Sequence, residues 1–372
     1  MQEAIEPPAV ESPQESPALA PAHRRAWPRT LASAALAMFL FVLALELLKR
    51  GARPLAPVLT DVLGIRNAVN TLGFGWLVAY AVLSGSPVAA IALSFFDQQV
   101  IDETQTFTMI TGSRLGASFI VLFVGFLYHL RGHRRGVSIA IGVLCLLVTA
   151  TIYLPAMGIG MWLLQNGWLA RLAPTRATQL TSLIDLIYDP ILTRLDLIFG
   201  RVPWLFFFAG LGLLLGAFNL LDRALPAMHA GRSAFQGIDR LVYRPWAMFL
   251  LGMAVTSVTL SVSVSLSILV PLSARGLVRR ENAVPYIMGA NITTFIDTLF
   301  AALVMSGEQA FTIVLVEMLS VAAISVLVLL AGYRLYERSV LVLLDGIMHT
   351  NRTLALFMAL MLIVPVLLML WR

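Results

Sequence analysis

Three observations predict an all-α integral membrane protein, an inverted repeat with two re-entrant helical hairpins and about seven transmembrane helices. Apolar residues fill 59% of the 372 positions and charged residues only 12%, with a mean hydropathy of +0.86. Several apolar stretches reach the roughly 20 residues that a helix needs to cross the hydrocarbon core. A polar signature also recurs inside those stretches. Leu83-Ser84-Gly85-Ser86-Pro87 precedes Gly112-Ser113-Arg114-Leu115-Gly116-Ala117-Ser118, and Leu260-Ser261-Val262-Ser263-Val264-Ser265 precedes Gly289-Ala290-Asn291-Ile292-Thr293-Thr294. Serine leads glycine by 28 positions in both copies, and the copies lie 177 positions apart.

Composition excludes several classes. A soluble domain carries about 25% charged residues, so a water-soluble fold does not fit. The 26 Lys and Arg outnumber the 20 Asp and Glu, an excess that suits cytoplasmic loops rather than nucleic acid. One cysteine, Cys145, rules out an intrachain disulfide and reads as a packing residue. No His, Cys or carboxylate cluster has metal-ligand spacing, and no nucleophile motif or phosphate loop occurs. His129, His133 and His349 fall at span ends or in loops. Neither an enzyme nor a cofactor protein is expected.

The elements follow in order. Residues 1–28, rich in Pro, Ala and Glu, read as a solvated, disordered tail. The apolar run 31–48 follows Arg24, Arg25 and Arg29 and suits a retained signal anchor. Further spans are expected at 106–130, 137–163, 203–222, 283–305, 310–333 and 353–371. Segments 70–96 and 245–272 differ, because each is interrupted near its middle. Ser84-Gly85-Ser86-Pro87 breaks the first, since proline removes a donor and glycine weakens helix. Five serines and threonines crowd Thr256 to Ser263 in the second. Each segment is either one broken span or two half-helices that turn back at mid-membrane.

Loop charge selects the second option. Arg131-Gly132-His133-Arg134-Arg135 is the densest basic loop and is expected in the cytoplasm. Segment 97–105, acidic and without a base, then lies outside, as do 165–200 and Ser306-Gly307-Glu308-Gln309. The loops with Arg223 to Arg244, with Arg275, Arg279 and Arg280, and with Arg334, Arg338 and Arg352 lie inside. Hairpins 70–96 and 245–272 therefore enter from opposite faces, which makes the second copy inverted. Lys49, Arg50 and Arg53 fall on the acidic side and are expected to snorkel. The resulting organisation is a first repeat at 29–165, an interfacial connector at 166–201, an inverted repeat at 202–340 and a C-terminal transmembrane helix at 341–372. A multi-pass protein of the cell (inner) membrane is expected, in contact with the lipid bilayer, with its N-terminus cytoplasmic. A homodimer is compatible with this arrangement.

Irregular backbone at membrane depth is tolerated only where it is buried in protein or lines a cavity. The hairpin tips and glycine motifs should therefore converge near the midplane, the arrangement of an inverted-repeat transporter. Substrate-binding candidates are Ser84, Ser86, Arg114, Ser261, Ser263, Asn291, Thr293 and Thr294, with Ser265 and Asp297 as ion-binding candidates. Hydroxyls and exposed helix N-termini donate to oxyanions, and hydroxyls with freed carbonyls coordinate sodium. Arg114 is costly in an apolar span. It either binds substrate through its planar fork, pairs with Asp297, or snorkels. Isolated serines would suit close helix packing; clusters duplicated in register favour a site.

The motifs resemble those of the sodium/phosphate cotransporter family. Gly289-Ala290-Asn291-Ile292-Thr293-Thr294 is similar to that family's Gly-Ala-Asn-Ile-Gly-Thr-Thr-like motif, and Ser261 and Ser263 fall where family serines stand. The first half diverges more: Ser84 and Ser86 fit the pattern, and Gly112, Gly116 and Ser118 fit it loosely. The resemblance implies secondary transport of an inorganic anion, foremost phosphate, by sodium-coupled symport and alternating access, with sodium as the coupling ion and no other cofactor. The chain departs from the pattern at Leu83 and Leu260, which replace the signature glutamines, and at Arg114, which replaces the first motif asparagine. The lost amides favour the alternative of a non-transporting membrane sensor or scaffold with the same fold. The arginine is expected to lower dependence on sodium.

Overall fold

The computed structural model describes residues 27–130, 135–167, 177–200, 202–224, 244–274, 277–305 and 308–371. Residues 1–26 of the expected tail, most of the basic loop at 131–135, and the loop between residues 224 and 244 lie outside the described residues. Sixteen α-helices and no strand occur among those described. Seven helical runs are long and apolar enough to cross a membrane: 31–55, 103–127, 138–165, 204–221, 280–305, 308–331 and 351–369. All seven coincide with the spans expected from the sequence. The protein is a multi-pass, all-α membrane protein.

The first half comprises α1 (Trp27–Ala52), α2 (Ala68–Val82), α3 (Ser86–Asp97), α4 (Glu103–Ala117), α5 (Phe119–Leu130) and α6 (Arg135–Gln165). A connector helix α7 (Ala177–Phe199) follows. The second half comprises α8 (Trp204–Ala224), α9 (Pro245–Thr259), α10 (Val262–Ser267), α11 (Leu269–Ala274), α12 (Arg280–Thr293), α13 (Ile296–Met305) and α14 (Glu308–Ala331). Helices α15 (Tyr333–Met348) and α16 (Asn351–Met369) complete the chain's described part. The 177-position offset read from the serines holds for whole helices. It carries α2 onto α9 at both ends, and the starts of α1, α4 and α5 onto those of α8, α12 and α13.

Packing repeats with the same offset. Helix α2 lies against α4, and α9 against α12. A Cβ on Gly112 would collide with the Leu72 carbonyl, and one on Gly289 with the matching Phe249 carbonyl. Gly75 meets the Met109 carbonyl as Gly252 meets that of Tyr286. Lipid tails are as apolar as leucine, so helices in a membrane associate through such backbone proximity rather than hydrophobic exclusion. The halves also interlock, because α3 packs on α13 while its counterpart α10 packs on α5.

The expected interruptions occur where the polar residues stand. Helix α2 ends at Leu83 (φ 55°, ψ 29°) and α9 at Leu260 (φ 50°, ψ 20°), both left-handed. Leucine in that region costs about 1–2 kcal/mol because Cβ crowds the following carbonyl. Pro87 sits in the first turn of α3, where its missing amide is harmless. The Ser261 hydroxyl accepts from the Val264 amide and caps α10. The spans 103–127 and 280–305 break at Ser118 and at Thr294-Phe295, again in register. At 15 and 12 residues, α2 and α3 rise about 22 and 18 Å, so neither spans the bilayer alone.

Burial separates core from periphery. Windows in α6 and in α12–α13 are 78% buried, whereas that in α16 is 11% buried and presents Leu356, Leu360, Ile363 and Leu367 outward, as lipid contact requires. Helix α16 is nonetheless anchored. The Asn70 amide donates to the carbonyls of Leu368, Met369 and Trp371, at 3.3, 3.0 and 2.7 Å, and the Tyr80 hydroxyl donates to that of Met361. Residues 341–348, which the sequence reading joined to the C-terminal span, belong instead to the separate amphipathic helix α15. The basic residues at the end of α1 also have partners. Arg50 pairs with Asp196 and lies 3.9 Å from Asp189, both on α7, and Lys49 reaches Glu46 at 3.3 Å. Ion pairing, rather than snorkelling, accounts for these two charges beside an acidic connector.

Candidate functional site

The first half brings Arg114 to the interface because α4 is pinned to α2 at Gly112 and Gly116, which leaves the next face of α4 turned inward. Arg114 is 2% exposed. Its Nη1 donates to the Ser86 hydroxyl at 3.4 Å and to the Thr294 hydroxyl at 3.3 Å. Its Nη2 donates to Thr298 and lies 3.9 Å from Asp297 Oδ1. The guanidinium also sits 4.8 Å from the centre of the Phe295 ring, a cation–π contact. Among the described residues the Nε–H has no hydrogen-bond partner, and neither has Asp297 Oδ2.

This cluster joins both halves. Ser86 opens α3 of the first half; Thr294, Phe295, Asp297 and Thr298 come from the α12–α13 break of the second. Thr298 holds the Asp297 carboxylate through a 2.9 Å hydrogen bond. Helix α3 has 12 residues, with no side-chain hydrogen bond from its N-cap, so its positive dipole end stands beside the guanidinium. Two positive elements converge at one buried point. A cavity of about 200 Å³ reaches Asp297 between α1 and α8, walled by Phe41, Phe218, Leu260, Ile296 and Phe300. Its wall is apolar apart from Asp297.

The repeat counterpart of Arg114 is Asn291, and it crosses the interface in the opposite sense. Its side-chain amide donates to Thr149 on α6 at 3.2 Å, and its backbone carbonyl accepts from the Tyr153 hydroxyl at 2.8 Å. Ser118 donates to the same Thr149 hydroxyl at 2.9 Å. A further network lies within the second half, where Thr256 donates to Ser265 at 2.7 Å and Ser265 meets the Tyr286 hydroxyl at 2.9 Å. Ser265 is thereby engaged in packing α9 and α10 against α12.

Of the ten candidates from the sequence, Ser86, Arg114, Thr294 and Asp297 converge in one cluster, and Asn291 lies in the adjoining network. Thr293 donates instead to the Met253 carbonyl at 3.0 Å, and Ser261 caps α10. Ser84 and Ser263 make no side-chain hydrogen bond among the described residues. The sequence reading missed Thr298, Phe295, Thr149, Tyr153 and, above all, Glu317. Glu317 on α14 is 2% exposed and lies 2.8 Å from the Thr111 hydroxyl. A lone carboxylate inside the apolar run 310–333 was the available signal.

Fold and site together define a multi-pass helical membrane protein with a polar centre shared between two structurally matched halves. The model of the Na+/Pi-cotransporter family matches residues 213–364, from α8 into α16. Over that stretch, somewhat under half of the chain, the protein is similar to this family of cotransporters. No curated protein and no solved structure matches the chain.

Proposed function

We propose that this chain is a secondary transporter that moves phosphate in symport with sodium by alternating access between its two halves. The observation that carries the reading is Arg114 at the interface, beside the positive end of α3 and ringed by hydroxyls from both halves. A tetrahedral oxyanion needs several donors and a positive charge, and a guanidinium fork supplies paired donors. In transport, phosphate replaces the hydroxyls and Asp297 as partner of Arg114, with Ser86, Thr294 and Thr298 donating to its remaining oxygens. Sodium binds near Asp297 and the freed carbonyls of the two breaks. The hairpins α2–α3 and α9–α11 enter from opposite faces and carry the alternation. Their left-handed leucines replace the family's glutamines, so recognition rests on Arg114 rather than on a side-chain amide.

The test is flux into proteoliposomes of phosphate, sulfate and arsenate, each with and without a sodium gradient. Phosphate uptake should be saturable, inhibited by arsenate, lost in Arg114→Ala and retained in Arg338→Ala, an exposed residue of α15. Equal uptake by both variants removes Arg114 from the site. Phosphate binding without flux selects the rival reading, a sensor or scaffold.

A further inference from the structure

We propose that Glu317 is a proton-binding site that couples proton movement to the transport cycle, a role that rests on the transport reading above and adds a second ion to it. The Thr111 hydroxyl lies 3.0 Å from the Phe107 carbonyl, one turn back on its own helix, and 2.8 Å from Glu317 Oε1. A hydroxyl has one hydrogen to give and two lone pairs to receive. Donation to Phe107 is the ordinary back-bond of a helical threonine. The shorter contact is donation from Thr111 to Glu317 Oε1, made to a carboxyl that is buried with its other oxygen unpartnered among the described residues. A carboxylate so placed is costly to hold charged, so Glu317 is a carboxylic acid at rest. The single hydroxyl hydrogen has two acceptors within reach, and loss of the Glu317 proton draws it further towards the carboxylate.

The surroundings agree. Glu317 Oε2 is buried without a partner, and no cation lies within 4.0 Å of the carboxyl among the described residues. Helix α4 sets Arg114 towards it and α6 sets Tyr153. Asp297 of α13 stands beside Arg114, where it takes up that cation's charge. Helices α3, α12 and α15 also pack on α14 but set no charged group against the carboxyl among the described residues. One arginine therefore serves two buried acids. Phosphate arriving at Arg114 withdraws the cation's field from both, so anion binding and proton occupancy at Glu317 are linked: each favours the other. The step is a transfer of H⁺ between water and the Glu317 carboxyl, with no change in oxidation state.

Two measurements decide it. Infrared spectra of the purified protein at neutral pH should contain the carbonyl stretch of a protonated carboxylic acid that Glu317→Gln removes and Asp297→Asn leaves in place. This readout needs no transport, so it stands even if the phosphate reading fails. In proteoliposomes without a sodium gradient, an acid-outside pH gradient should raise steady-state phosphate accumulation up to about tenfold per pH unit for one proton per phosphate, and Glu317→Gln should abolish that response. Absence of the band, its loss in Asp297→Asn alone, or a pH response intact in Glu317→Gln overturns the proposal.

Discussion

The two halves of this protein share a backbone and divide its chemistry. Helices α2 and α4 meet through Gly75 and Gly112 as α9 and α12 meet through Gly252 and Gly289, and both short helices end on a left-handed leucine. At equivalent positions the side chains diverge. The hydroxyl network Thr256–Ser265–Tyr286 has as counterparts Ala79, Val88 and Met109, all apolar. Conversely, the Thr71–Thr108 pair, 2.7 Å apart, corresponds to Met248 and Pro285. The first half supplies the buried cation Arg114, where the second has Asn291. The second half supplies Asp297 and Glu317, where the first has Ile120 and Ala140. Backbone proximity tolerates few substitutions, whereas polar contacts need only be satisfied somewhere. A duplicated scaffold can therefore keep its glycines while opposite charges settle on opposite sides of the interface.

The largest effect should come from the charge asymmetry. Arg114→Ala leaves Asp297 buried without its cation, a loss of about 3–5 kcal/mol, read as a lowered midpoint of thermal unfolding in detergent. Adding Asp297→Asn should recover much of that stability without restoring phosphate uptake. The matching Asn291→Ala removes only the neutral hydrogen bond to Thr149 and should cost about 1–2 kcal/mol. Equal losses at the two positions would mean that the halves are not electrostatically distinct. The shared frame is tested next. Gly112→Ala and Gly289→Ala each force a methyl group onto a facing carbonyl and should each cost roughly 3 kcal/mol; a large loss at one site alone would break the structural equivalence.

Smaller effects sharpen the comparison. Tyr286→Phe should cost about 1 kcal/mol through the lost bond to Ser265, while Met109→Leu at the equivalent position stays near neutral. Leu83→Gly and Leu260→Gly should each stabilise by up to about 1 kcal/mol, since glycine accepts the left-handed conformation freely. Outside the spans, burial and then the Glu281 charge push the Glu337 carboxyl above the usual range, against weaker opposing effects of Tyr333 and Arg334. Its folded form holds a proton more tightly than its unfolded form. It therefore favours the fold below the ordinary glutamate value of about 4, and that contribution is lost as pH rises through the raised folded value. Unfolding midpoints measured across this range should show the acid-side gain in the wild type and a flatter profile in Glu337→Gln.

Much of this arrangement was legible in the amino-acid order. Seven spans follow from hydropathy alone, since helices in lipid must satisfy their own backbone. The breaks follow from Ser84-Gly85-Ser86-Pro87 and its counterpart, and the repeat from a constant offset. The pairing of Arg114 with Asp297 was one of the readings open from the start. What escaped had weaker signals. Helix α15 is amphipathic and charged, so a search for apolar runs passes over it. Thr149 and Tyr153 stand outside the duplicated motifs, where a hydroxyl on an apolar helix reads equally well as packing. Attention to those motifs also passed over Glu317. Whether Ser261 caps a helix or faces a ligand depends on a few degrees of backbone, which residue spacing does not encode.

The grip of Asn70 on the far end of α16 has a consequence for how the molecule comes into being. The carbonyls it holds lie 298 to 301 positions further along the chain. Helix α2 emerges from the ribosome long before them, with Gly73 bare and its asparagine amide unengaged in lipid. The first half must wait in an unfinished state until those 298 to 301 further positions have been added. Its closure is thereby tied to delivery of α16, and a nascent chain stalled or cut short before Leu368 should be recognised and degraded by membrane quality control.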